Sequence, residues 1–256
     1  MSDLLVKTSF DESVYTIMLA RPAKRNAVND RMLTELETAI QKQPKGVRVI
    51  VLTAAGDHFC AGLDLAEHQH RDSYGVMQHS QWWHRVFHHI EHGGVPVVAA
   101  LHGAVIGGGL ELAAATHVRV AEPDTIYQLP EGRHGIFVGG GASVRLAKII
   151  GPGRMCEMML TGRIIDAQEG QRLGLSHYLV DSGQSDKKAR ELARRIAENA
   201  PLANWAMCTA VDRIHSMSSA DGLYVESLTA ALTQTSPEVP QRITQFLQRK
   251  GKEPLS

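Results

Sequence analysis

The stretch Val97–Gly141, VVAALHGAVIGGGLELAAATHVRVAEPDTIYQLPEGRHGIFVGGG, decides the fold of this chain. It completes a buried strand that runs from Val95 to Leu101, with Pro96 marking its start, and leads into Gly107-Gly108-Gly109. A helix rich in Leu and Ala follows, then a strand, then a second glycine-rich loop. Strands this continuously apolar belong to sheets covered on both faces, which places the chain in the α/β class. Two glutamates stand inside the stretch, Glu111 just after the glycine triplet and Glu131 just before Gly132.

Glycine lets backbone approach a ligand closely and adopt φ angles that other residues avoid. The first N–H groups of a helix have no intrahelical partner, and the helix dipole makes that end partly positive. A helix opened by the triplet can therefore hold a polarised carbonyl oxygen, as half of an oxyanion hole. Glu111 falls in the first turn or so of that helix among Leu110, Leu112 and Ala113 to Ala115. Such apolar neighbours raise a carboxyl pKa and suit it to proton transfer near neutral pH. A glycine triplet also serves plain close packing, and an early-helix Glu also serves as a dipole partner. The second carboxylate-bearing loop is what favours a site.

Upstream, Leu4 to Thr8 and Val14 to Leu19 read as strands around the turn-formers Asp11-Glu12-Ser13. Arg21 to Ala27 is a loop with three cations, either a solvated turn or a phosphate contact. Asn29 or Asp30 caps a helix whose Met32, Leu33, Leu36 and Ile40 recur at helical spacing. Val47 to Thr53 is a further apolar strand, and the small-residue loop Ala54 to Glu67 follows its end, where α/β folds gather ligands. A backbone N–H near Ala61 to Asp64 can supply the second donor of an oxyanion hole.

Seven of the thirteen histidines lie between His68 and His92, with His84, His88 and His92 four apart. No HExxH and no acidic third ligand accompanies them, and Trp82, Trp83, Val86, Phe87 and Ile90 give the helix an apolar stripe, so it reads as a ligand lining rather than a metal site. Downstream, Ala142 to Ile150 reads as helix, Gly151-Pro152-Gly153 breaks it, and Pro152 opens another through Leu160. Asp166 to Glu169 offers a capping box, and Tyr178 to Val180 is a short last strand. From Asp186 onward the pattern is helical only, so a boundary is expected near Asp181 to Gln184.

Lys plus Arg and Asp plus Glu number 27 each in 256 residues. A neutral chain carries no electrostatic footprint for nucleic acid or an anionic membrane. Cys60, Cys156 and Cys208 lack metal-ligand or CxxC spacing, which fits a reduced compartment. With no signal-peptide pattern at Met1 to Phe10 and no apolar run of spanning length, a cytoplasmic location is expected.

Several pieces in one order carry a resemblance. They are Arg21-Pro22 through Asn26-Ala27, Phe59 to Asp64, His102-Gly103 with Gly107 to Gly109, Pro130-Glu131 with Gly135, Arg145-Leu146, Leu160 to Arg163, and Ala167 to Gly174-Leu175. From about Val14 to Lys252 the chain resembles the crotonase, or enoyl-CoA hydratase/isomerase, superfamily. The resemblance implies an α/β crotonase-type spiral of ββα units over residues 1–183 and a C-terminal helical trimerisation region over 184–256, assembled as a homotrimer or a hexamer of paired trimers. It implies an acyl-CoA substrate, with coenzyme A entering only as part of that substrate and no permanently bound cofactor or metal. The thioester oxygen would be held by the N–H groups of Leu63 and Gly108. Leu63, Asp64, Leu65 and Ala66 would lie along adenine and pantetheine, and Lys24, Arg25 and Lys250 or Lys252 would meet the phosphates. Glu111 and Glu131 match the two glutamates with which family hydratases place a water and move its proton. Family isomerases often keep only the second, so the pair favours hydration of a 2-enoyl-CoA with a medium-chain, branched or ring-bearing acyl group. The alternatives are double-bond isomerisation, hydrolytic ring or C–C cleavage, or acyl-CoA binding without turnover.

The chain departs from the family pattern after Glu131, in Gly132 to Gly141. Arg133 either pairs with Glu131 and lowers its pKa or, with His134, points away. The nucleophilic aspartate of the family's dehalogenases would fall at Gly139, which excludes that route.

Overall fold

The computed structural model describes residues 4–68 and 71–249. Lys250 and Lys252, expected near phosphates, lie outside the described residues. The chain opens with the hairpin β1 (Val6–Asp11) and β2 (Val14–Leu19), then α1 (Asp30–Gln41), capped by the Asn29 side chain, which accepts the Met32 N–H at 3.0 Å. Next come β3 (Val49–Ala54), a short α2 (Leu65–His68) and the long α3 (Ser73–His92). The decisive stretch supplies β4 (Val97–Leu101), β5 (Ala104–Ile106), α4 (Gly108–Ala114), β6 (Val118–Ala121) and β7 (Ile126–Gln128). A 3-10 turn, Glu131–His134, then precedes α5 (Ala142–Ile150) and α6 (Pro152–Thr161). The rest is α7 (Ala167–Arg172), β8 (Tyr178–Leu179), α8 (Ser185–Ala197), α9 (Pro201–His215), α10 (Ser219–Thr233) and α11 (Val239–Arg249).

Six strands form one sheet in the order β1-β2-β3-β4-β6-β8, parallel except for the first hairpin. The two-residue alternation of its strands divides the core. Ile50, Leu52, Ala99 and Leu101 join the large cluster that includes Phe59, Trp83 and Tyr127, while Val49, Val51, Val98 and Ala100 face Ala189, Leu192 and Ala193 of α8. Both faces are covered, as the apolar strands required.

The layout repeats. Each of β3, β4 and β6 is followed by a short extended piece in a second layer and then a helix. Those pieces are the Cys60 bridge to Val105, then β5, then β7, with β5 and β7 pairing in parallel. This is the expected spiral of ββα units, and it stacks the ends of three successive units side by side. Among the described residues, no helix is long and apolar enough to cross a membrane.

Candidate active site

The loop after β3 is held on β5 by two backbone bonds, Cys60 N–H to Ala104 O and Ile106 N–H to Cys60 O, both 3.0 Å. That pairing brings Leu63 beside Gly108, the first residue of α4. The approach is so close that a Cβ on Gly62 would lie 2.8 Å from Ile106 O and 3.1 Å from Gly108 N. Gly62 also sits at φ +95°, which favours glycine. Asp64 N–H and Gly62 O are used in the bridge to Val28. Among the described residues the Leu63 and Gly108 N–H groups donate to no protein acceptor, and Gly108 is at the helix position where none is available.

Buried Asn26 braces this loop from beneath. Its side-chain amide donates to Ala55 O at 2.9 Å and His58 O at 2.7 Å, its Oδ1 accepts the Arg21 N–H at 2.8 Å, and its own carbonyl accepts the Cys60 thiol at 3.1 Å. Burial pushes that thiol up to about 12, so Cys60 stays a neutral packing group.

Glu111, in the first turn of α4, is buried. Its Oε1 accepts the Gly140 N–H at 2.8 Å and the Ala142 N–H at 2.9 Å. Burial raises its carboxyl pKa, against the opposing pull of those N–H bonds and of Arg145. The apolar surroundings expected from Leu110, Leu112 and the alanines are thus present, and Phe87 closes one side: a Cβ on Gly140 would lie 2.8 Å from Glu111 Oε2 and 3.1 Å from the Phe87 ring.

Glu131 opens the 3-10 turn and is also buried, and its Oε2 has no hydrogen-bond partner among the described residues. Burial, with a smaller contribution from the negative charge of Glu111, pushes its pKa up to about 7. Arg133 does not pair with it. The guanidinium turns to the end of α6, donating to Thr161 O at 3.0 Å and packing on Gly162. His134, by contrast, lies in the wall of the site.

These groups share one cavity of about 540 Å³, whose wall includes Leu63, Leu65, Gly108, Glu111, Glu131 and His134. One face of α3 gives it Val76, Met77, Ser80 and Trp83, and the loop before α5 gives it Ile136 to Gly140. The histidine-rich helix is therefore a lining, as expected, though it begins at Ser73. Trp82 faces the other way, donating to Glu37 on α1 at 2.9 Å. Glu91, His92 and Asp212 place one ligand atom each within 4.8 Å of one another, but Arg145 pairs with Glu91 at 2.8 Å and Lys148 with Asp212 at 2.6 Å. Those carboxylates already face cations.

Asp64 and Ala66 are not in the cavity wall. Asp64 clamps Arg21 at 2.7 Å, a bond that holds its carboxyl below the usual carboxylate range. Lys24 and Arg25 are exposed on the turn before Asn26, outside the wall; the turn abuts the site loop through Ala61 N–H to Arg25 O at 2.9 Å. Sequence reading missed Ser80, whose hydroxyl donates to Gly139 O at 2.6 Å, and the role of Arg145, which donates to Gly140 O at 3.1 Å. The one signal for Ser80 was its position one turn before Trp83 and His84.

Comparison with known proteins shows the family and the fold. The family model for enoyl-CoA hydratase/isomerase matches residues 9–253. A crystal structure from Rhodopseudomonas palustris, provisionally named an enoyl-CoA hydratase, shares 49% identity and superposes with a TM-score of 0.93 over 96% of each chain. An enoyl-CoA hydratase from Bacillus anthracis superposes with a TM-score of 0.90 at 29% identity over 96% of each chain. The 2,3-dehydroadipyl-CoA hydratase of Escherichia coli is 31% identical over 98% of this chain and 97% of its own.

Proposed function

Since the chain belongs to the enoyl-CoA hydratase/isomerase family, we propose that it is an enoyl-CoA hydratase, adding water across the 2,3 double bond of an enoyl-CoA. The observation that carries this reading is the pair of buried carboxylates, Glu111 and Glu131, in one cavity with the unengaged N–H groups of Leu63 and Gly108. With the thioester oxygen between those N–H groups, charge is drawn from the β-carbon and the enolate that forms is stabilised.

The two carboxyls differ in a way that divides their work. Burial raises the pKa of Glu111, but its two backbone N–H bonds oppose that rise and aim its carboxylate, and we assign it as the base that takes a proton from the attacking water. Glu131 has a pKa pushed up to about 7 and an unpartnered Oε2, which suit it to hold a proton and deliver it to the α-carbon. Hydroxyl goes to the β-carbon and hydrogen to the α-carbon, so one water is consumed and both groups return to their starting states after one proton passes back between them.

Val76, Met77, Trp83, Phe137 and Val138 give the wall an apolar character that suits a medium-chain, branched or ring-bearing acyl group. Coenzyme A belongs to the substrate, with Lys24 and Arg25 offered toward its phosphates. The apolar residues left exposed on α9 and α10, among them Val211, Leu223 and Tyr224, support a homotrimer or a hexamer.

The test is product mass after incubation with crotonyl-, octenoyl- and cinnamoyl-CoA. Gain of one water, lost in both Glu111→Gln and Glu131→Gln, is expected. Conversion without mass change would mean isomerisation, and binding without conversion would mean a non-catalytic role.

A further inference from the structure

Glu111 is held by the loop Gly139–Ala142, and that loop is itself held from behind. The Gly139–Gly140 peptide is trans, as are all peptides among the described residues. A planar trans peptide carries its C=O and N–H on opposite sides, so fixing one fixes the other. On one side Ser80 Oγ donates to Gly139 O at 2.6 Å; on the other the Gly140 N–H donates to Glu111 Oε1 at 2.8 Å. Glycine flanks this plane on both sides, so side-chain sterics do little to oppose its rotation. Rotated, it would turn a carbonyl oxygen toward the carboxylate.

We propose that Ser80 is a positioning residue, a latch whose hydroxyl holds the Gly139–Gly140 peptide in the orientation that directs the Gly140 N–H at Glu111. This rests on the reading of Glu111 as the base. The latch comes from α3, 59 residues away in sequence. A serine hydroxyl has one proton. The short bond to Gly139 takes it; His84 Nε2 lies 3.5 Å from the same oxygen, and the His84 ring also bonds the Gly139 backbone, on the same side of the peptide as Ser80. Arg145 does the matching work one residue on, donating to Gly140 O at 3.1 Å while anchored by Glu91 at 2.8 Å. Donation to the carbonyl also polarises the peptide and strengthens the N–H on its far side.

The charged and titratable groups that face Glu111 are Glu131 from the 3-10 turn, Arg145 from α5 and, through Ser80 and the Gly139 backbone, His84 from α3. Ser80→Ala leaves Glu131 and Arg145 untouched and takes from His84 its contact with the hydroxyl, not its bond to the Gly139 backbone. Loss of the latch weakens a bond to the ionised form, so the carboxyl titrates at higher pH.

The deciding measurement is a ¹³C NMR titration of glutamate side-chain carboxyls in the full chain, with the Glu111 signal assigned by its absence in Glu111→Gln. Ser80→Ala is expected to move that titration upward and to lower kcat about tenfold, the effect of one hydrogen bond, with KM for the acyl-CoA little changed. Ser80→Thr, which keeps the hydroxyl, restores both. An unmoved Glu111 titration in Ser80→Ala overturns the latch whatever the activity. A moved titration with full hydration in Glu111→Gln would leave the latch standing and remove the assignment of Glu111 as base.

Discussion

Glu131 and Gly107 are set so closely that a Cβ on the glycine would stand 2.8 Å from Glu131 Oε1. Gly107 also caps α4 at φ +52°, ψ −123°, a conformation L side chains rarely adopt. One residue thus fixes the start of the helix that bears Glu111 and the space that Glu131 occupies. Gly107→Ala is expected to lose about 1–3 kcal/mol of stability from the backbone alone, and to displace the carboxyl and abolish most turnover. Urea denaturation and a hydration assay on the same preparation check both; wild-type values in each would show that the glycine is dispensable.

The pKa of Glu131, about 7 in the folded chain against an ordinary 4.5, has a signed consequence. Between those values the folded state holds a proton that the unfolded chain has released. Stability is therefore fully present below pH 4.5 and is lost as pH rises through about 7. Glu131→Gln removes that dependence, so the difference in Tm between variant and wild type should grow in the variant's favour from pH 5 to pH 8. Glu111, whose pKa is also raised, is present in both proteins but is coupled to Glu131, so the difference reports the pair rather than Glu131 alone. In the wild type kcat/KM should fall above about pH 7, where the proton donor is lost. A pH-independent Tm difference would contradict the raised pKa.

Asn26 supports the site without facing it. Removing its amide leaves the Ala55 and His58 carbonyls unpaired, each at about 1–3 kcal/mol. It also sits at φ +54°, where Asn is tolerated better than most residues. Asn26→Ala is expected to destabilise the fold by several kcal/mol, and Asn26→Asp to fail likewise because a carboxylate cannot donate to those carbonyls. Chemical denaturation separates the cases: an Asn26→Asp variant as stable as wild type would mean the donors are not needed.

Much of this was legible in the chain. β2 and α5 fall on the residues expected because apolar patterning and glycine punctuation are strong local signals. The first hairpin was less so. β1 runs to Asp11 with an exposed face and no alternation, and its turn narrows to Glu12-Ser13 because Glu12 takes φ +52°. Arg133 and His134 part company because successive residues of a 3-10 turn project about 120° apart, which no periodic pattern over so short a segment reveals. The Ser80 contact was invisible because one hydroxyl on a helix carries no pattern, and its partner is a distant backbone carbonyl.

Leu223 and Tyr224 on α10 and Val211 on α9 are each more than half exposed. Burying such a face between copies should yield, by light scattering, a mass three or six times that of the chain. Leu223→Glu with Tyr224→Glu should lower that mass, since the charges would be desolvated in the interface. An unchanged mass would place the subunit contact elsewhere.

Gly108 meets Trp83 where the proposed oxyanion donor meets the acyl wall. A Cβ on Gly108 would lie 2.7 Å from Trp83 Cζ3, 2.8 Å from Cη2 and 3.4 Å from Leu63 N. The backbone at Gly108 is ordinary helix, so an alanine would be strained by the indole rather than by its own dihedrals. The indole has little room to yield. Its Nε1 donates to His79 at 3.2 Å, and its ring packs edge-on to Phe87 with centroids 5.3 Å apart. Gly108→Ala is therefore expected to push α4 away from the Leu63 loop, widen the gap between the two N–H groups and cost roughly 10²-fold in kcat, the scale of losing one oxyanion donor. Trp83→Leu alone should alter acyl preference more than kcat with a short substrate. Combined with Gly108→Ala it should recover part of the lost rate, because the wall that forced the displacement is gone. A double-mutant cycle on kcat reads the coupling; strictly additive effects would show that the indole and the glycine do not constrain each other, and that the two donors are set by the backbone alone.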